Sequence, residues 1–141
     1  MIIMAVDLGL SRTGLAVCDG QELMAFPAGV IFEKNEDALI GKIIQQAKEK
    51  RAELIVVGHP INMDGTHGER AQECSRIAKI IADNSGIEVA LWDERRTTAS
   101  AHSALHAAGV KGKKHKNIVD TAAAVIILEG YLGYRRNSIN N

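Results

Sequence analysis

MAVDLGLSRTGLAVCD, residues 4–19, sets one carboxylate at the end of an apolar run and at the mouth of a glycine-flanked turn. Ile2 to Val6 form the run, Asp7 closes it, and Gly9 and Gly14 bracket Leu10-Ser11-Arg12-Thr13. Leu15-Ala16-Val17-Cys18 follows at once. Two short apolar runs joined by a glycine-containing loop predict an antiparallel hairpin. An ionised carboxylate is costly to bury without compensation, so Asp7 needs a cation, hydrogen bonds or a chemical task. The plainer alternative is that Asp7 only bonds the backbone of its own turn. That alternative weakens as further carboxylates arrive at matching places along the chain.

Beyond the hairpin, Asp19-Gly20 signals a turn. A third strand follows in two pieces, Leu23 to Phe26 and Val30 to Phe32, around Pro27-Ala28-Gly29, as a bulged edge strand would. Asn35 is placed to cap a helix running to about residue 51, with Leu39, Ile43 and Ala47 on one face. Leu54-Ile55-Val56-Val57 reads as a fully buried strand ending in a Gly58-His59-Pro60 loop. Thr66 and Glu69 suggest a capping box for a second helix, with Ala71, Cys74, Ala78 and Ile81 as its buried stripe and Gly86 past its end. Residues 87–92 form a fifth strand. A helix over residues 98–108, a basic loop over 111–116 and a last helix over 118–132 follow, and a polar tail occupies 135–141. Three antiparallel strands, then two strands reached by right-handed crossovers, give one domain over residues 1–134. Its architecture is a mixed five-stranded α/β sheet with helices on both faces, the ribonuclease H-like layout. Ligands of open α/β sheets gather beyond the carboxyl ends of the parallel strands, where Asp7, the His59 loop and Asp93-Glu94 all fall.

Composition narrows the function classes. The 141 residues hold 17 Lys+Arg against 17 Asp+Glu, so overall charge does not hold the protein to nucleic acid, although a local patch can. One Trp, two Tyr and two Phe leave little for base stacking. Cys18 and Cys74 sit in apolar patterns and read as core thiols. No signal peptide and no membrane span are expected, which points to the cytoplasm.

Two further carboxylate positions join Asp7. An Asn117 cap would put Asp120 in the first turn of the last helix, on the apolar face of Ala123, Ala124 and Ile127. A charge on that face is anomalous for a purely structural helix, and a capping interaction with Asn117 is the competing account. Asp93 and Glu94 have opposite strand parity, so one of them faces the centre and the other can pair with Arg95 or Arg96. Three carboxylates at one rim repel, and hard divalent cations, Mg²⁺ or Mn²⁺, are the natural remedy. Two such ions ~3.5–4 Å apart would hold both oxygens of a phosphodiester displacement.

The segments DLGLSRTGLAVCD, VVGHPINMDGTHGERA, DERRTT and VDTAAAVIILEGYL resemble, in this order, the motif set of the YqgF/RuvX family. These are Holliday-junction resolvase-like proteins also credited with maturation of the 16S ribosomal RNA precursor. The resemblance covers nearly the whole chain. It implies a metal-dependent endonuclease with two Mg or Mn ions, acting on structured RNA or branched DNA, with ribosomal precursor particles as partners. It matches Asp7, Glu94 and Asp120 to the family's acidic positions, as catalytic and metal-holding residues. Arg12, Arg95, Thr97 and Thr98 match its polar positions. His59 and Arg96 depart from the pattern, which carries other, often apolar, residues there.

Arg12, Arg95 and the lysines Lys113, Lys114 and Lys116 are expected to contact nucleic-acid phosphates, the lysines as a binding flap beside the site. His102 and His106 lack the third ligand a zinc site needs. His59 reads as a loop histidine making one hydrogen bond, and Asn62 and Asp64 as shaping their own turn. The hairpin also resembles the phosphate-binding hairpin of the actin and sugar-kinase group, which needs a second domain to enclose ATP. A non-catalytic nucleic-acid or ribosome-associated adaptor with the same fold is the remaining alternative.

Overall fold

The computed structural model describes residues 1–96 and 113–140, with side chains for 1–96 and 121–138. The hairpin forms as its apolar runs require. Strands β1 (Ile3–Asp7) and β2 (Arg12–Cys18) pair antiparallel from Met4↔Val17 to Asp7↔Gly14. Their turn depends on Gly9, where a Cβ would lie 1.9 Å from the Arg12 carbonyl oxygen. β3 (Ala25–Phe32) adds antiparallel to β2 as one edge strand, and the register shifts between Gly14 and Ala16. It starts at Ala25 and not at Leu23, because the Asp19 carboxylate accepts from the Leu23 and Met24 amides, both at 2.8 Å, and keeps them in the turn.

β4 (Leu54–His59) and β5 (Glu88–Asp93) complete the sheet in the order β3-β2-β1-β4-β5, with β1, β4 and β5 mutually parallel. Every residue of β4 is buried, as a strand between two parallel neighbours must be. The strand runs on through Gly58 and His59, which the sequence assigns to a loop. His59 pairs with Asp93 in the ladder, and its buried ring is bonded to the helix above.

Helix α1 (Glu36–Glu49) starts on Asn35, whose side chain accepts from the Ala38 amide at 2.9 Å. Helix α2 (Glu69–Ser85) ends on Gly86 at φ 72°, and its start corrects the expected capping box. Gly68 is its cap and makes no side-chain bond. Thr66 is committed elsewhere, donating its amide and hydroxyl to Asp64 at 2.9 and 2.6 Å. Helix α3 (Lys113–Asn140) corrects both ends of the last helix. The stretch 113–116, read as loop, is its first turn, so Asn117 lies inside the helix and not at its start. The expected tail from Arg135 is helical as well, because Arg135 donates to Glu22 at 2.6 and 3.2 Å. Glu22 also takes the Met1 amino group at 3.2 Å, and the Arg135 bonds hold its carboxyl below the usual range. The helix expected over 98–108, with His102 and His106, lies outside the described residues, as do Thr97 and Thr98.

Strand alternation sorts the core onto two faces. Met4, Val6, Leu15, Ile55 and Val57 pack with α1 and α2. Ile3, Ala5, Ala16, Leu54, Val56 and Trp92 pack with α3 residues Ala124, Ile127, Leu128 and Leu132. Cys18 and Cys74 are buried free thiols. No described helix is long and apolar enough to cross a membrane.

Two glycines make opposite predictions for stability. Gly9→Ala drives a methyl into backbone and should cost about 1–3 kcal/mol or more. Gly41→Ala, exposed on α1 with nothing within 4 Å of the new Cβ, should gain roughly 0.5–1 kcal/mol. Denaturant midpoints of the two variants check both signs, and a neutral Gly9→Ala contradicts the turn geometry.

Candidate active site

Alternation along β1 decides where Asp7 stands. Ile3 and Ala5 belong to the α3-side core, so Asp7, two residues further on, closes the strand on that same side. Val6 pairs with Val57, which puts Gly58, the next residue of β4, alongside Asp7. Glu94 opens a 3-10 turn, Glu94–Arg96, directly after β5. Its carboxylate covers Gly58: a Cβ there would lie 3.3 Å from Glu94 Cδ and Oε2, and 2.6 Å from Ile127 Cδ1 of α3. With no Cβ at Gly58, the Glu94 carboxylate and the end of the Ile127 side chain both come this close to β4. Burial pushes the pKa of the Cys74 thiol up to about 11; Arg70 opposes the rise, and Glu94, Glu73 and Asp7 add to it.

Asp93 has the other parity and another task. Its carboxylate takes the Arg95 fork at 3.1 Å from Nε and 2.7 Å from Nη2, and the Arg95 amide at 2.9 Å. The Arg95 hydrogen bonds hold the Asp93 carboxyl below the usual range. Arg95 in turn lies against the 62–66 turn, its Nη1 being 3.6 Å from where a Gly65 Cβ would sit. Asn62 and Asp64 shape that turn as expected, through Thr66 at 3.0 and 2.6 Å. The adjacent carboxylates are thus separated: Asp93 fastens a loop, and Glu94 stands over Gly58 on the Asp7 side.

The remaining sequence-predicted residues are located by their backbone positions. Arg12 opens β2 opposite Phe32, half-buried at the end of the hairpin turn. Asp120 occupies a position of α3 one turn before Ala124 and two before Ile127, both buried against the sheet. With α3 starting at Lys113, the capping account of Asp120 loses its basis. The side chains of Asp120, Lys113, Lys114 and Lys116 lie outside the described residues. His59, read as a loop residue with one hydrogen bond, is instead buried with Nε2 3.1 Å from both the Ala71 carbonyl and the Ser75 hydroxyl. It ties β4 to α2.

Sequence reasoning missed Arg70. Its guanidinium donates to the Leu8 carbonyl, and at 3.1 Å to Glu73, clamping α2 to the turn that leaves Asp7. A signal was available, because a cation in the first turn of a helix opposes the macrodipole and calls for a partner.

The family model for RuvX, described as Holliday junction resolvase, matches residues 1–134. The chain belongs to the RuvX family. Among its relatives, a protein of Ruminiclostridium cellulolyticum described as a candidate pre-16S rRNA nuclease is 39% identical over 135 residues, 94% of each chain. One of Agathobacter rectalis with the same description is 34% identical over 141 residues, covering 98% of this chain and 99% of the relative. In fold, this RuvX-family chain is similar to Thermus thermophilus RuvC in complex with a Holliday junction substrate. The TM-score is 0.64 over 97% of this chain and 96% of that one, at 18% identity. The fowlpox virus Holliday junction resolvase gives 0.60 over 95% and 99%, at 13% identity. These likenesses establish the ribonuclease H-like sheet that the strand order predicts.

Gly58 offers a direct check of the rim. Gly58→Ala should displace Ile127 and the Glu94 carboxylate together and lower stability by about 1–3 kcal/mol. A variant that melts with the wild type contradicts the close approach at this residue.

Proposed function

We propose that this RuvX-family protein is a Mg²⁺- or Mn²⁺-dependent endonuclease that hydrolyses phosphodiesters in structured nucleic acid. Precursor 16S rRNA is the first substrate to consider and four-way-junction DNA the second. The observation that carries this reading is the division of labour between Asp93 and Glu94. Asp93 is spent on Arg95, while Glu94 covers Gly58 on the side of the sheet that Asp7 closes. Asp120 precedes the buried Ala124 and Ile127 by one and two turns of α3, a spacing that supports its belonging to the same site.

Carboxylate oxygens are the donors that hard divalent ions take. Asp7, Glu94 and Asp120 would hold the ions. The ions, when bound, supply charge neutralisation and Lewis acidity for in-line displacement at phosphorus. Arg12 and the lysines Lys113, Lys114 and Lys116 would bind the phosphates of the strand and set its register. Arg95, anchored on Asp93 and exposed, would present its remaining edge to the same strand. The descriptions of the curated relatives favour the RNA substrate, and the fold likeness to junction resolvases keeps the DNA substrate in view.

Precursor 16S rRNA and four-way-junction DNA, incubated side by side with Mn²⁺ or with EDTA, test the reading. Cleavage should require Mn²⁺. It should fall by roughly a hundredfold or more in Asp7→Asn and Glu94→Gln, the scale of losing one preorganised electrostatic group. Asp93→Asn should keep substantial activity. Binding of either substrate as tightly in EDTA as in Mn²⁺, with no cutting, would instead identify a non-catalytic adaptor.

A further inference from the structure

Five aromatic residues are few for a nucleic-acid protein, yet three of them meet at one corner of the α3 side. Trp92 lies edge-on to Tyr131 with ring centroids 6.1 Å apart, and Tyr134 closes the cluster at 6.3 and 6.0 Å from the two. Trp92 is buried and rigidly backed, since a Cβ on Gly130 would come within 2.7 Å of its ring. Tyr134 keeps 45% of its surface exposed. Arg96 lies over both, its guanidinium carbon 4.5 Å from the Trp92 centroid and 5.2 Å from that of Tyr134. Beside them an open concavity of about 340 Å³ is lined by Tyr131, Tyr134, Arg135 and Ser138.

The charge of Arg96 distinguishes this corner from a packing cluster. Arg95 is matched by Asp93 and Arg135 by Glu22, whereas Arg96 is exposed and makes no ion pair among the described residues. An apolar residue would cover Trp92 as well. The corner also adjoins the rim. Arg96 and Glu94 share one 3-10 turn, and Trp92 pairs with Gly58, the residue that Glu94 covers.

We propose that Arg96 and Tyr134 form a stacking site for an unpaired nucleobase of the bound nucleic acid, an inference that rests on the nuclease reading above. Aromatic rings and guanidinium planes are the surfaces on which splayed bases stack, and they do so with little sequence preference. The buried Trp92 and the half-buried Tyr131 hold those surfaces in place before binding, so little ordering entropy is lost. The Arg96 cation adds attraction for the phosphate of the same nucleotide. The site therefore selects substrates with an unpaired nucleotide next to the scissile bond.

The chain's single tryptophan, Trp92, reports on the corner. An RNA hairpin with unpaired adenines, one replaced by 2-aminopurine, and a fully paired RNA of equal length are titrated in EDTA against wild type, Arg96→Leu, Tyr134→Ala and Tyr134→Phe. For wild type, the hairpin should quench both Trp92 and 2-aminopurine emission and bind more tightly than the paired RNA. That preference should shrink at least about fivefold in Arg96→Leu and Tyr134→Ala and survive in Tyr134→Phe. Arg96→Leu keeps an apolar cover on Trp92, so a folding defect in Tyr134→Ala leaves the test intact. Equal preference in all four proteins overturns the stacking site while leaving the nuclease reading standing. A wild type that neither binds nor cuts RNA or four-way-junction DNA, in Mn²⁺ as well as in EDTA, overturns both.

Discussion

The absence of a side chain at Gly58 is the constraint on which the site depends. β4 is the strand between the two parallel neighbours, and at its carboxyl end Ile127 of α3 and the Glu94 carboxylate both press to within a Cβ's reach of the backbone. Asp7 ends the adjacent strand on the same side. A methyl at Gly58 would force the end of the Ile127 side chain to move and would crowd the Glu94 carboxylate. The rim chemistry and the packing of α3 therefore share one requirement, and neither can drift without the other.

Around this point the structure places fasteners, each joining a strand end to a neighbouring element. Arg70 binds the Leu8 carbonyl and holds α2 to the turn after Asp7. His59 holds β4 to α2 through Ala71 and Ser75. Arg95 takes Asp93 and backs the 62–66 turn. Like charges gathered at a rim destabilise a fold, and such costs are common at functional sites. These neutralised or hydrogen-bonded contacts stiffen the strand ends around the rim.

Much of this was legible in the sequence, for reasons that can be named. The hairpin, the buried β4, the Asn35 cap and the Gly86 stop are local rules in which one residue's chemistry decides. That β4 and β5 run parallel to β1 followed from right-handed crossovers. Parity separated Asp93 from Glu94 without saying which faced inward; the Arg95 fork and the Gly58 contact supply that answer. What was not legible depended on competition between partners. Thr66 could have capped α2, but the helix starts on Gly68 and Thr66 donates to Asp64 in the preceding turn. Asn117 could cap a helix, but α3 begins ahead of it. The tail read as frayed because its partner, Glu22, lies far away in sequence. The aromatic corner was invisible for the same reason, since Trp92 and Tyr134 meet only once α3 is laid across the sheet.

The central claim is that Asp7, Glu94 and Asp120 form one carboxylate cluster that binds divalent metal, and thermal melts test it without any substrate. Wild type, Asp7→Asn and Asp120→Asn are melted in EDTA and in Mn²⁺. If the carboxylates repel one another, Asp7→Asn should melt at or above the wild type in EDTA. Mn²⁺ at a hundredfold excess over its dissociation constant should stabilise the wild type by about 2.7 kcal/mol and both variants much less. Variants that both melt below the wild type in EDTA, with Mn²⁺ shifting none of the three proteins, would contradict it.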